Sequence, residues 1–209
     1  MRSLLRYCLI LSALLFVSCG KDEDKFEIGK SGLTMAVDGQ EWKSVIAYVS
    51  SGTHEDDDFH LVNIIGTKAD IEDEDSEDAE AFSIMILIPN SKFNNPAGTY
   101  RIGGTFGEEE GDHDAVAYFS RQENGEITQY ISFDPEEPSR VMGTVTIDQF
   151  KVGEQKFLGE SLGMGYTELS GSFKVTLNTY VSGEDGYKTV ELTNGKFSLN
   201  HGLNLGGLF

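Results

Sequence analysis

Cysteine is nearly absent from this chain of 209 residues, which has only Cys8 and Cys19. A single disulfide is the most it could form, so a disulfide-stapled scaffold and a cysteine-rich zinc site are both excluded. Proline is scarce, at four residues, and tryptophan occurs once, as Trp42. Histidine is limited to His54, His60, His113 and His201, and the first two stand six apart, not at the i, i+4 spacing of a zinc-protease helix. Positive charge is in deficit: 16 Lys and Arg face 35 Asp and Glu, a formal charge of −19. Such a surface repels phosphate backbones and anionic headgroups, which argues against nucleic acid as a partner. Helical signals are missing as well. Beyond the amino-terminal segment, no stretch of about ten residues combines a 3.6-residue apolar period with caps.

The amino terminus carries Arg2 and Arg6, then an apolar run from Leu9 to Val17 broken by Ser12, then Ser18 and Cys19. That run is shorter than the roughly 20 residues needed to span a bilayer. Its layout is that of a cleaved export signal: basic start, short apolar core, small residue at the boundary. With Cys19 at that boundary, Phe16-Val17-Ser18-Cys19 resembles the lipobox of bacterial lipoproteins, although Phe16 stands where leucine is commonest. The resemblance implies removal of residues 1–18, lipidation of Cys19 and residence in the outer-membrane lipid. Two or more acyl chains make such an anchor stable where a single one is marginal. Cys8 would leave with the signal, so Cys19 would keep no disulfide partner. Residues 19–31 then read as the lipidated cysteine and a charged, flexible tether. Its acidic Asp22, Glu23 and Asp24 resemble the signal that sends Bacteroidota lipoproteins to the cell surface. Losing Arg2 and Arg6 would make the mature chain two charges more negative than −19.

Residues 32–209 suit one domain, and their patterning is β throughout. Val37-Asp38-Gly39-Gln40 and Asn124-Gly125 are hairpin turns of the primed type, where glycine accepts positive φ at no steric cost. Ala81 to Ile88 is almost continuously apolar and reads as a central strand buried on both faces. In the strand Glu126 to Phe133, Ile127, Ile131 and Phe133 form the apolar phase, with Thr128, Tyr130 and Ser132 on the other. Asn194-Gly195 reads as a further turn, between Tyr187–Leu192 and Lys196–Leu199. About ten such strands predict an all-β fold, a single antiparallel β-sandwich or barrel-like domain.

Three sets of residues recur in order: Asp38-Gly39-Gln40-Glu41-Trp42, Gly98-Thr99-Tyr100, and Gly171-Ser172-Phe173 followed by Asn194-Gly195-Lys196-Phe197. In that order they resemble a family of Bacteroidota lipoproteins of unknown function. The resemblance implies an all-β fold and no particular chemistry.

Candidate chemistry is sparse. Gly159-Glu160-Ser161-Leu162-Gly163 matches the Gly-x-Ser-x-Gly elbow, and Asp185 and His201 follow in hydrolase order. That elbow requires a strand-to-helix turn beside a parallel sheet, and here the motif leads into another strand. A glycine-rich hairpin connection is the better reading, and no enzyme is expected. Acidic runs at residues 55–58, 72–80 and 108–114 are either solvated loops or binders of a hard cation such as Ca²⁺. Asp112 and Asp114 are the candidate calcium ligands. For a sugar partner, Tyr130, Tyr180 and Trp42 are the candidate aromatic platform, on fold analogy alone. The expectation from sequence is therefore a non-enzymatic, lipid-anchored envelope protein, displayed at the surface, whose partner is a glycan or another protein.

Overall fold

The chain pairs with itself almost entirely through antiparallel ladders, beginning where Asp38 (φ 48°) and Gly39 (φ 82°) reverse it. The computed structural model describes residues 32–53, 58–69, 79–104, 113–123, 125–157, 160–179 and 186–201. They form eleven strands, β1 Gly32–Val37, β2 Gln40–Lys43, β3 Ile46–Thr53, β4 Phe59–Ala69, β5 Ala79–Pro89 and β6 Gly98–Ile102 among them. The chain continues through β7 Ala115–Glu123, β8 Glu126–Ile131, β9 Gly143–Phe157, β10 Glu160–Thr179 and β11 Thr189–Asn200. The all-β expectation holds, and both hairpins are present: Asp38 and Gly39 have positive φ, and Gly125, with φ 78°, lies between the paired Glu123 and Glu126 of β7 and β8.

All the strands belong to one sheet in the order β2-β1-β11-β10-β9-β6-β7-β5-β4-β3, with β8 paired to both β7 and β10. Among the described residues pairing is antiparallel except between β6 and β7, through the single pair Ile102 and Ala115, and at the bridge of Val49 to His201. The β3 end of the order folds back against β11, β10 and β9. Val49 in β3 bridges His201, just past β11. Ser51 Oγ accepts hydrogen bonds from the Tyr166 backbone N–H in β10 (3.0 Å) and from Gln155 Nε2 in β9 (3.0 Å). The sheet thus folds back on itself around one core, as in a β-sandwich or barrel-like domain.

Period-2 alternation selects the interior. Val62 and Ile64 of β4, Phe82, Ile84, Ile86 and Ile88 of β5, and Val145 and Ile147 of β9 are all at most 1% exposed. Each such side chain contributes about 1.5–3 kcal/mol of transfer free energy. Trp42 is packed among them, 2% exposed. Phe82 stacks on Phe173 at 4.7 Å between ring centroids.

Three expectations are corrected. β5 is buried on one face only: Phe82, Ile84, Ile86 and Ile88 point inward, while Ala81, Ser83, Met85 and Leu87 are half-buried on the outside. A continuous apolar run says nothing of what covers each side. Tyr130 lies on the inner phase of β8, because it pairs with the buried Phe119, with ring centroids 6.1 Å apart. Ile127 is instead on the outside, 46% exposed. Asn194-Gly195 is not a turn but an irregularity within the continuous β11, with Asn194 at φ 53°. A Cβ on Gly195 would stand 2.5 Å from the Phe173 ring, so the glycine makes room for that core aromatic.

Candidate functional site

The outer surface of the sheet differs sharply between its two halves. On the β9-β10-β11 half it is ordinary: β10 presents Glu168, Ser170, Ser172 and Lys174, and β11 presents Glu191, Lys196 and Ser198. Lys151 Nζ of β9 pairs with Glu168 at 2.9 Å, an exposed ion pair worth little. On the β3-β4-β5-β7-β8 half the outward side chains within the strands are uncharged, and the Asp114–Arg101 pair stands at their margin beside Leu87. β3 turns Ile46, Tyr48, Ser50 and Gly52 outward, and β4 follows with Leu61, Asn63, Ile65 and Thr67. The outward set of β5 is Ala81, Ser83, Met85 and Leu87, and that of β7 is Val116, Tyr118 and Ser120. β8 adds Ile127, Gln129 and Ile131.

Register lines these side chains into rows. Tyr48 pairs with Ile65, Ile65 with Ser83, Ser83 with Tyr118 and Tyr118 with Ile131. Beside that row run Ser50, Asn63, Met85 and Val116, and Leu61 pairs with Leu87. Val116 is only 2% exposed yet stands outside the core cluster, so its neighbours on this outer face shield it. Leu61 (41%) and Tyr118 (37%) project from the face, and burial raises the Tyr48 phenol above its ordinary range. Monomers seldom expose apolar patches beyond about 300–600 Å², and patches of that size are often functional.

A second feature is internal. His60 of β4 is 2% exposed and lies against Phe93 (4.4 Å between centroids) and Tyr166 (5.6 Å). Tyr166 Oη donates to the Phe93 carbonyl at 2.8 Å, and Tyr100 Oη donates to the Pro96 carbonyl at 2.6 Å, which ties down the connection after β5. The phenols are pushed up by burial, Tyr166 further by Tyr100, and Tyr100 by Asp114. His60 Nε2 has no hydrogen-bond partner, and burial lowers the imidazole pKa below its ordinary value. The unfolded chain therefore binds more protons at this site than the folded one. The stability tied to a neutral His60 is present above the unfolded pKa of about 6.5 and is lost as pH falls below it. Unfolding curves between pH 8 and 5 should show a shallower loss for His60→Phe than for the parent; parallel curves would remove His60 as the source.

The residues singled out by sequence are scattered. Trp42 is in the core, Tyr130 is half-buried against it, and Tyr180 lies outside the described residues. Trp42 and Tyr130 thus form no outward platform. Asp114 accepts from the Arg101 backbone N–H (2.8 Å) and pairs with Arg101 Nε (3.5 Å), while Asp112 lies outside the described residues. Among the described residues no three His, Cys, Asp or Glu side chains cluster as metal ligands. Ser161 sits in strand β10 opposite Lys156, and hydrogen bonds from the Ser161 hydroxyl and then the Lys156 ammonium lower the Glu154 pKa. His201 Nε2 instead lies 3.1 Å from the Lys156 carbonyl, and Asp185 is outside the described residues. Cys19, Asp22, Glu23 and Asp24 also lie outside them.

Comparison of the chain with protein-family models, curated proteins and solved structures finds no match.

The uncharged outer face escaped the reading of the sequence, although a signal for it is present. β3, β4, β5 and β7 carry apolar residues on both phases, as in Tyr48 with Val49, Leu61 with Val62 and Met85 with Ile86. Double-phase strands mark either burial on two sides or one side left for a partner.

Proposed function

We propose that the protein is a lipid-anchored component of the cell envelope, displayed at the surface, that acts by binding and not by catalysis. The observation that carries the anchor is the boundary cysteine: Cys19 directly follows a short apolar core and a small residue, with Arg2 and Arg6 ahead of it. The binding role is supported by the uncharged half of the outer sheet, on a chain whose formal charge is otherwise −19.

Cys19→Ala should abolish incorporation of a labelled fatty acid and release the protein from the membrane fraction. Retained label in that variant would end the anchor reading. Replacing Asp22, Glu23 and Asp24 together by alanine should leave the label intact but shield the protein from protease added to whole cells. Unchanged protease access would remove those three residues as an export signal.

A further inference from the structure

We propose that His60 is an acid-operated latch on the connection between β5 and β6: on gaining a proton it releases residues 90–97 from the end of the core while the strands stay paired. The proposal rests on neither the anchor nor the binding reading. It adds to the stability effect of His60 the segment that opens.

The connection depends on side chains for its place. Residues 90–97 contain one 3-10 turn, Asn90–Lys92, and belong to no strand. Most of them are exposed, but Phe93 is half-buried and Pro96 is buried. Those two residues are the points at which the core holds the segment. The Phe93 ring lies against His60 (4.4 Å between centroids) and Tyr166 (5.3 Å), and its carbonyl accepts from Tyr166 Oη. The Pro96 carbonyl accepts from Tyr100 Oη, and the Asn90 N–H donates to the Asp58 carbonyl at 2.9 Å. β4, which carries His60, is by contrast laddered on both sides, to β3 and to β5.

Of the side chains that hold the connection, only His60 changes charge near neutral pH. Its surroundings are apolar or neutral there: Ile88 of β5 and Thr53 of β3 are its ladder partners, Phe93 comes from the connection, and β10 supplies the Tyr166 phenol. Beyond Tyr166 stands the Tyr100 phenol of β6, and the Asp114 carboxylate that acts on Tyr100 is paired with Arg101. Asp58 and Lys92 are exposed. As an imidazolium both ring nitrogens donate, and Nε2 has no acceptor. An unpaired buried charge is strongly disfavoured, and burial accordingly lowers the pKa. Reaching water by parting β4 from its neighbours would break two ladders. Lifting Phe93 breaks a ring contact and a few hydrogen bonds, so the connection opens first. In the open form the imidazole regains its ordinary pKa of about 6.5, which keeps the latch closed above that pH and opens it increasingly below.

Amide hydrogen exchange of the purified protein, resolved by NMR between pH 7.5 and 5.5 and corrected for the intrinsic pH dependence of exchange, tests this. Protection of the Asn90 and Phe93 amides should fall by about tenfold over that range, while amides of β4 and β5 such as Val62 and Ile84 keep theirs. His60→Phe should hold residues 90–97 closed at both ends of the range, and His201→Gln should respond as the parent does. Constant protection of the connection in the parent overturns the proposal. So does an equal fall in His60→Phe, a response lost in His201→Gln, or protection lost from β4 and β5 together with the connection. If His60→Phe does not fold, the parent decides alone: the His60 imidazole carbons and the amides of residues 90–97 should titrate with one common midpoint below about 6.5, and separate midpoints refute the latch.

Discussion

Trp42→Ala is expected to cost about 3–5 kcal/mol, a large part of the 5–15 kcal/mol that keeps a typical domain folded. The indole is 2% exposed, and its strand β2 is only four residues long, paired to β1 through Met35 and Trp42. Trp42 is the one buried residue of that strand. The indole also reaches across to β4, where its Cη2 lies 3.3 Å from the position a Cβ on Gly66 would take. Removing it leaves a cavity at the junction of β1, β2 and β4 that backbone pairing cannot fill. Trp42→Phe should be much milder, because the indole Nε1 has no hydrogen-bond partner and its loss therefore breaks no bond. Urea denaturation followed by circular dichroism checks both, since Trp42 is the only tryptophan and fluorescence disappears with it. A midpoint shift with unchanged slope identifies lost stability. A Trp42→Ala loss under about 1 kcal/mol would show that the site is less packed than its burial indicates.

Gly171→Ala is the second large effect, expected toward the top of the roughly 1–3 kcal/mol that overpacking costs. Gly171 sits in β10 between Phe197 of β11 and Ile147 of β9, at a point where the pairing with β9 shifts register. A Cβ there would overlap the Thr146 carbonyl and come within 2.7 Å of Phe197 Cζ. The carbonyl is backbone, so it cannot rotate away, and relief requires β9 and β10 to separate. Gly32→Ala is the control, since a Cβ at Gly32 meets nothing within 4 Å. It should be neutral or slightly stabilising, because alanine restricts the unfolded chain more than glycine does. Equal melting temperatures for the two variants would refute the close approach at Gly171.

Much of this fold was legible in the chain. Asp38-Gly39 and the turn before Glu126 were readable because positive φ is a local demand that few residues meet. The phase Phe173-Val175-Leu177 was readable because strand geometry alternates at every step, whereas the continuous run Phe82 to Ile88 hid its phase. What alternation leaves undecided is which phase faces inward when both are apolar or both are mixed. Tyr130 shows the difficulty. Its strand carries Ile127 and Ile131 on the opposite phase, yet pairing with Phe119 turns Tyr130 toward the core. Asn194-Gly195 shows the same limit in another form: the dipeptide fits a turn or a bulge, and the ladders from β11 to β1 and β10 decide for the bulge.

The candidate face divides in the same way. By itself the sequence determined an all-β chain and a large acidic excess, because composition and local spacing are sufficient for each, and its amino terminus carries the resemblance on which the proposed anchor rests. Only the tertiary structure decided that Tyr48, Leu61, Met85 and Tyr118 share one uncharged surface. Those four residues come from four strands, and only cross-strand register sets which side chains stand together and which side of a two-phase strand the core leaves uncovered.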